Sequence, residues 1–342
     1  MRQTVEGAGA LAWLAALAAL AVLVLGVLAG VAWTWLDRPL ELARPSIELS
    51  IEAGTTPRDI AQGWVDAGVQ TDARWLYAWF RASGLARRIR AGSYEVHTGT
   101  TPRGLLDTLV QGRETLEAVR IIEGWTWRQM RQALAAAPNL KPTIAGWDDA
   151  RVMQELGSPG QPPEGRFFPD TYAYGRGVSD LTVLRRAHQA MQARLATVWA
   201  ERSPDSPLKS ADEALTLASI VEKETGLPSD RPLIAGVFVN RLRVGMPLQT
   251  DPSVIYGLGD AFDGNLRKRD LQTDTPFNTY TRGGLPPTPI ALPGLASLRA
   301  AVRPQPTRAL YFVARGDGSS VFSETLAEHN RAVNRYQRGQ QP

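Results

Sequence analysis

Two glutamates, Glu222 and Glu224, close the run Ala214-Leu215-Thr216-Leu217-Ala218-Ser219-Ile220-Val221-Glu222-Lys223-Glu224. Ser210-Ala211-Asp212-Glu213 fits a capping box that opens this stretch as a helix, and Gly226 and Pro228 stop it. At about 100° per residue, Ala214, Leu217, Ala218 and Val221 share one apolar stripe, which Glu224 continues. Glu224 is therefore expected to be partly buried, and burial disfavours a charged carboxylate and raises its pKa, as a general acid working near neutral pH requires. Glu222 sits about 200° away around the helix, so the two cannot form the facing pair that a hydrolytic glycosidase holds roughly 5–9.5 Å apart. Charge clusters at helix ends are commonly just solvated, so the weight of this run depends on its neighbourhood.

That neighbourhood is rich in amides, hydroxyls and aromatic rings: Asn240-Arg241-Leu242, Leu248-Gln249-Thr250-Asp251-Pro252, Tyr256, Asn278-Thr279-Tyr280 and Gly284-Leu285-Pro286-Pro287. Such groups satisfy the many donors and acceptors of a sugar, and a Tyr ring stacks on its apolar face; the same residues also build turns. Other chemistries lack their marks. His97, His188 and His329 have no neighbouring ligands at metal-binding spacing, and no metal or cofactor is expected. The chain contains no Cys, which excludes a thiol nucleophile and Cys-based metal sites. There is no Gly-x-Ser-x-Gly elbow, phosphate loop or dinucleotide fingerprint. A net charge of +4, from 38 basic and 34 acidic residues mixed along the chain, gives no support for nucleic-acid binding.

The elements that carry these residues belong to a chain of 342 residues, 44% of them hydrophobic, long enough for about two domains. Gly7 to Leu36 carries no charge and ends in Trp33 and Trp35. It exceeds the roughly 20 apolar residues that span a bilayer and is too long for a signal-peptide core, so a membrane helix is predicted over 9–36 after a short terminus, 1–8. Charge bias leaves its orientation open, because Arg2 on one side faces Arg38 and Arg44 on the other. After a connector, 37–45, Ser46–Ile51 alternates as a half-buried strand. Gly54-Thr55-Thr56-Pro57-Arg58 recurs as Gly99-Thr100-Thr101-Pro102-Arg103, and Gly124-Trp125-Thr126-Trp127-Arg128 is a degenerate third copy. The reading is a helix start, with Thr56 and Thr101 as N-caps and Pro57 and Pro102 at the first helical position. Residues 46–122 are thus predicted to form a small β-α-α-β domain, either scaffold or glycan-binding. Residues 123–209, with a long amphipathic helix from Leu181 to Arg202, connect it to the polar, turn-rich part at 210–338.

Taken together, Leu217-Ala218-Ser219-Ile220-Val221-Glu222-Lys223-Glu224-Thr225, Asn240-Arg241-Leu242, Leu248-Gln249-Thr250-Asp251-Pro252-Ser253-Val254-Ile255-Tyr256-Gly257, Asn278-Thr279-Tyr280 and Phe168-Pro169-Asp170-Thr171-Tyr172 resemble the YceG-like endolytic murein transglycosylases. The likeness extends through Glu164-Gly165, Gly284 to Ile290, Tyr311-Phe312-Val313 and His329-Asn330. The resemblance implies an α+β chain: an N-terminal transmembrane helix, a LysM-like small domain, then a mixed α/β catalytic domain on the periplasmic side of the bacterial inner membrane. It implies cleavage of the β-1,4 bond between N-acetylmuramic acid and N-acetylglucosamine in nascent peptidoglycan strands, with a 1,6-anhydro end and termination of strand growth. It further implies coupling to penicillin-binding synthases. Family alignment places the catalytic acid/base at Glu224, the residue that the helical stripe also selects. Gln249, Asp251, Tyr256, Asn278 and Tyr280 are the candidates for substrate binding and charge stabilisation. Two other readings remain: a wall-binding scaffold without catalysis, and a muramidase-type hydrolase in which Asp251 activates water.

Overall fold

A computed structural model describes residues 4–52, 54–113 and 116–339. The chain is α+β, and among the described residues every sheet has two strands. It divides into two compact units, residues 1–117 with 175–177, and 118–174 with 178–342.

The first unit begins with α1 (Thr4–Leu36). The membrane span expected over 9–36 falls on this helix, many of whose side chains lie outside the described residues. Among the described residues no helix is long and apolar enough to cross a membrane. There follow β1 (Glu41–Leu42), β2 (Ser46–Ile51), α2 (Pro57–Ala67), β3 (Val69–Gln70), α3 (Ala73–Ala82), β4 (Gly92–His97) and α4 (Pro102–Gln111). Strands β2 and β4 pair antiparallel, with Ile47 opposite Val96 and Leu49 opposite Tyr94. The β-α-α-β order thus appears, with the short β1–β3 pair beside it. Thr56 caps α2 by accepting from Asp59 N at 3.3 Å, and Thr101 caps α4 by accepting from Gly104 N at 3.0 Å. The proline that follows each cap has no N–H to leave unsatisfied. Trp64, Leu76, Phe80, Leu105 and Leu109 fill the core between helices and sheet.

The second unit starts in β5 (Leu116–Arg120), which pairs with β6 (Thr171–Gly175). Between them lie α5 (Trp127–Ala136) and α6 (Asp149–Glu155). The third copy of the repeat is a complete capping box: Thr126 accepts from Gln129 N, and Gln129 Oε1 accepts from Thr126 N at 2.9 Å. After α7 (Asp180–Ala200) comes α8 (Ala211–Glu224), opened by Ser210, whose hydroxyl accepts from Glu213 N at 3.1 Å. The predicted box is only half made here, because Glu213 reaches back to Lys209 N instead. α8 packs against α7 (before it) and against α9 (Arg231–Arg243), α10 (Asp251–Leu258) and α12 (Leu295–Val302), with the short α11 (Lys268–Gln272) beside α10. Consequently every residue from Ala214 to Val221 is buried, where one stripe was expected. The hairpin β7 (Tyr311–Ala314) and β8 (Ser320–Ser323) pairs Phe312 with Phe322 and packs on α13 (Leu326–Tyr336).

Candidate active site

Helix α8, buried from Ala214 to Val221, ends at the wall of a cleft of about 530 Å³, and its last residue, Glu224, lines it. Thr225 turns to extended backbone, so the helix delivers the carboxyl at its own terminus. The Glu224 side chain is half-buried. Its pKa is pushed up to about 7, chiefly by burial and further by the like charge of Asp251, against the opposing pull of the Thr250 hydroxyl and Arg241. Thr250 Oγ1 is itself buried and makes no hydrogen bond within the protein. A carboxyl poised at this value is available in both protonation states near neutrality.

Glu222 takes a different part. Its side chain is only 4% exposed, with Oε1 accepting from Arg231 Nη2 at 3.0 Å and Oε2 from Gly294 N at 2.9 Å and Ser297 Oγ at 2.7 Å. Every lone pair direction that matters is used inside the fold, so this carboxylate fastens the end of α8 to α9 and α12. Glu123, 3.9 Å from the same guanidinium, has its pKa raised by burial and by Glu222.

Of the residues expected at the site, Gln249, Asp251 and Tyr280 line the cleft with Glu224. Tyr280 OH donates to Asp251 Oδ1 at 2.6 Å, which fixes that carboxylate. Gln249 has a φ of 50°, an uncommon left-handed conformation for a side chain of this kind. Thr279 holds the turn, accepting from Gln249 N through its carbonyl at 3.1 Å and from Thr250 N through its hydroxyl at 3.0 Å. Asn278 is completely buried and outside the cleft lining. Its amide donates to the Leu271 and Thr273 carbonyls, at 3.1 and 2.6 Å, and its Oδ1 accepts from Tyr280 N at 2.8 Å. It reaches the site only through Tyr280. Tyr256 lies in a separate hollow, where its hydroxyl donates to Glu164 at 3.1 Å.

Three cleft residues were not singled out from sequence: Arg241, Tyr311 and His329. Arg241 donates from Nε to Leu310 O at 2.7 Å and from Nη1 to Leu248 O at 2.6 Å, joining the hairpin to the turn that carries Gln249. Its guanidinium lies 5.4 Å from the Tyr311 ring centroid. His329 stacks on that ring, centroids 5.2 Å apart, and its pKa is lowered by burial and by Arg241. All three fall within segments whose spacing was already distinctive, Asn240-Arg241-Leu242, Tyr311-Phe312-Val313 and His329-Asn330. Only the fold shows that they meet.

A model of the YceG-like family matches residues 49–335. The chain belongs to the YceG-like family. An endolytic murein transglycosylase of Bacillus subtilis is 31% identical over 312 residues, covering 86% of each chain. One from Streptococcus pneumoniae is 33% identical over 175 residues, half of this chain and 31% of that one. Among solved structures, a protein described as YceG-like from Listeria monocytogenes superposes with a TM-score of 0.54 at 30% identity, over 84% of this chain and 98% of that one.

Proposed function

We propose that this YceG-like protein is an endo-acting lytic transglycosylase of peptidoglycan, with Glu224 as its single acid/base. The observation that carries the reading is a carboxyl at about pKa 7, placed in a polar cleft at the end of a helix whose residues from Ala214 to Val221 are buried. As acid, Glu224 protonates the oxygen leaving C1 of N-acetylmuramic acid. As base, it takes the proton from the sugar's 6-hydroxyl as that oxygen closes on C1. The C1–O bond to N-acetylglucosamine breaks, the 1,6-anhydro bond forms, and no water is consumed. Asp251, held in position by Tyr280, and Gln249 offer groups toward the positive charge that develops at C1. The names of the relatives from B. subtilis and S. pneumoniae support the murein substrate. In this reading α1 is a single-pass anchor in the inner membrane, and the second unit faces the periplasm, where it ends the growth of nascent strands beside penicillin-binding synthases. The small first unit is LysM-like and no metal or cofactor takes part.

The test is mass spectrometry of uncrosslinked glycan strands treated with the full chain and with its Glu224→Gln variant. Anhydro-muramic ends from the first and none from the second are expected. Reducing ends would instead make the protein a hydrolase, a reading that the presence of Asp251 in the same cleft keeps specific.

A further inference from the structure

Glu164 and Tyr256 have no part in the reaction above, yet they meet in a hollow of about 590 Å³ in the second unit. Glu164 is 7% exposed and accepts from Trp127 N at 3.0 and 3.1 Å and from Tyr256 OH. Capping the first turn of α5 accounts for the bond from Trp127 N. It does not account for the tyrosine hydroxyl or for the open space that both residues line. Arg128 and Asp260 pair across this hollow, and the half-buried Phe262 adds an apolar face.

Position gives the hollow its meaning. Glu224 lines not only the catalytic cleft but also a second hollow of about 410 Å³, whose far wall is made by Gly124, Trp125 and Gln129. The next residues of the same segment, Thr126 to Arg128, line the third hollow. Helix α10 links the outer two directly, with Asp251 in the first and Tyr256 in the third. The first and second hollows therefore share the Glu224 wall, and the segment from Gly124 to Gln129 runs from the second into the third. A polymer cut in its interior occupies space on both sides of the cut, and a strand that crosses Glu224 and passes Trp125 arrives at Arg128.

We propose that the hollow framed by Arg128, Glu164, Tyr256, Asp260 and Phe262 is a remote saccharide subsite that holds the strand away from the reacting bond. The ligand is a pyranose ring of the same glycan. Its apolar face lies on Phe262, and its hydroxyl and amide groups meet Arg128, Asp260 and the Tyr256 hydroxyl, whose oxygen remains free to accept. The assignment rests on the glycan reading above and adds to it a preference for long strands.

The test uses the full chain carrying Glu224→Gln, so that strands bind without being cut, and isothermal titration with long uncrosslinked strands and with a tetrasaccharide prepared from them. One stacked ring with two or three hydrogen bonds gives the parent an advantage of about tenfold for the long strand. Adding Arg128→Ala and Phe262→Ala, both away from the buried carboxyl, is expected to reduce that advantage to about twofold or less, by the same conversion. Phe262→Tyr, which keeps the ring, is expected to preserve it. A parent with no preference for length, or a double variant that keeps the full preference, would overturn the proposal. Failure of the glycan reading shows separately, as wild-type chain that leaves no anhydro ends on long strands.

Discussion

Replacing Glu222 by Ala separates the two glutamates of α8 by their effects. The carboxylate holds three donors: Arg231 at 3.0 Å, Gly294 N at 2.9 Å and Ser297 Oγ at 2.7 Å. Its loss strands a guanidinium whose side chain is 12% exposed, together with two further donors. Breaking a buried pair by removing one partner costs about 3–5 kcal/mol. Glu123 remains 3.9 Å from Arg231 and keeps part of the counter-charge, so the lower end, about 3 kcal/mol, is expected. Urea unfolding followed by tryptophan fluorescence reads this directly. Glu224→Gln in the same assay at pH 8 is expected to cost nothing or to stabilise, because it removes a carboxylate whose charged form burial disfavours. The pair Glu222→Met with Arg231→Met is expected to recover most of the loss, since apolar residues of similar volume commonly replace a buried ion pair at little cost. A loss below about 1 kcal/mol for Glu222→Ala, or an equal loss for Glu224→Gln, would refute the division of labour.

Other expectations follow from single sites. kcat/KM should fall about tenfold per pH unit above pH 7 as the acid form of Glu224 is lost, and Asp251→Asn should move that limb to lower pH by removing a like charge; the pH–rate profile checks both. Glu164, with its pKa raised by burial to about 7, favours the folded state most at low pH. Its contribution is lost as pH rises from 4.5 through 7, so the change in unfolding free energy between pH 5 and 7.5 should be smaller by about 2 kcal/mol in Glu164→Gln than in the wild type, the remainder coming from Glu224. Gly236→Ala in α9 should destabilise by about 1–3 kcal/mol despite the better helix former, because the new Cβ would stand 2.7 Å from Gln305 O and 2.8 Å from Thr307 Cγ2; thermal unfolding measures it.

Local chemistry was the part of this fold that could be read from sequence. Thr56-Pro57 and Thr101-Pro102 specify helix starts within four residues, and both caps form. The burial of the Glu224 carboxyl was legible from one helix, although the stripe argument was incomplete: Ala214 to Val221 are buried on all sides, and the terminal carboxyl is desolvated by what lies across from it. The same limitation hid Glu222. Periodicity places it off the stripe, but it does not reveal that Arg231 and the start of α12 cover that side too. Asn278 and Tyr256 have the residue types of a sugar site, and type alone does not distinguish a buried amide serving backbone carbonyls from one facing a ligand. Arg241, Tyr311 and His329 come from separate elements and meet through long-range packing, which no spacing in the chain records.

The two bonds of Arg241 make the catalytic cleft a caliper with a single pin. One jaw begins at Leu310 and carries the hairpin; the other ends at Leu248 and carries Gln249 and Asp251. The span between them is set by the reach of a planar fork that donates in two directions at once, which a lysine ammonium on its flexible stem does not reproduce. If the proposed function holds, the thickness of strand that this cleft admits would be set by a side chain that does not itself have to perform chemistry. Variation at this one position would change which decorated glycans fit before it changed what is done to them.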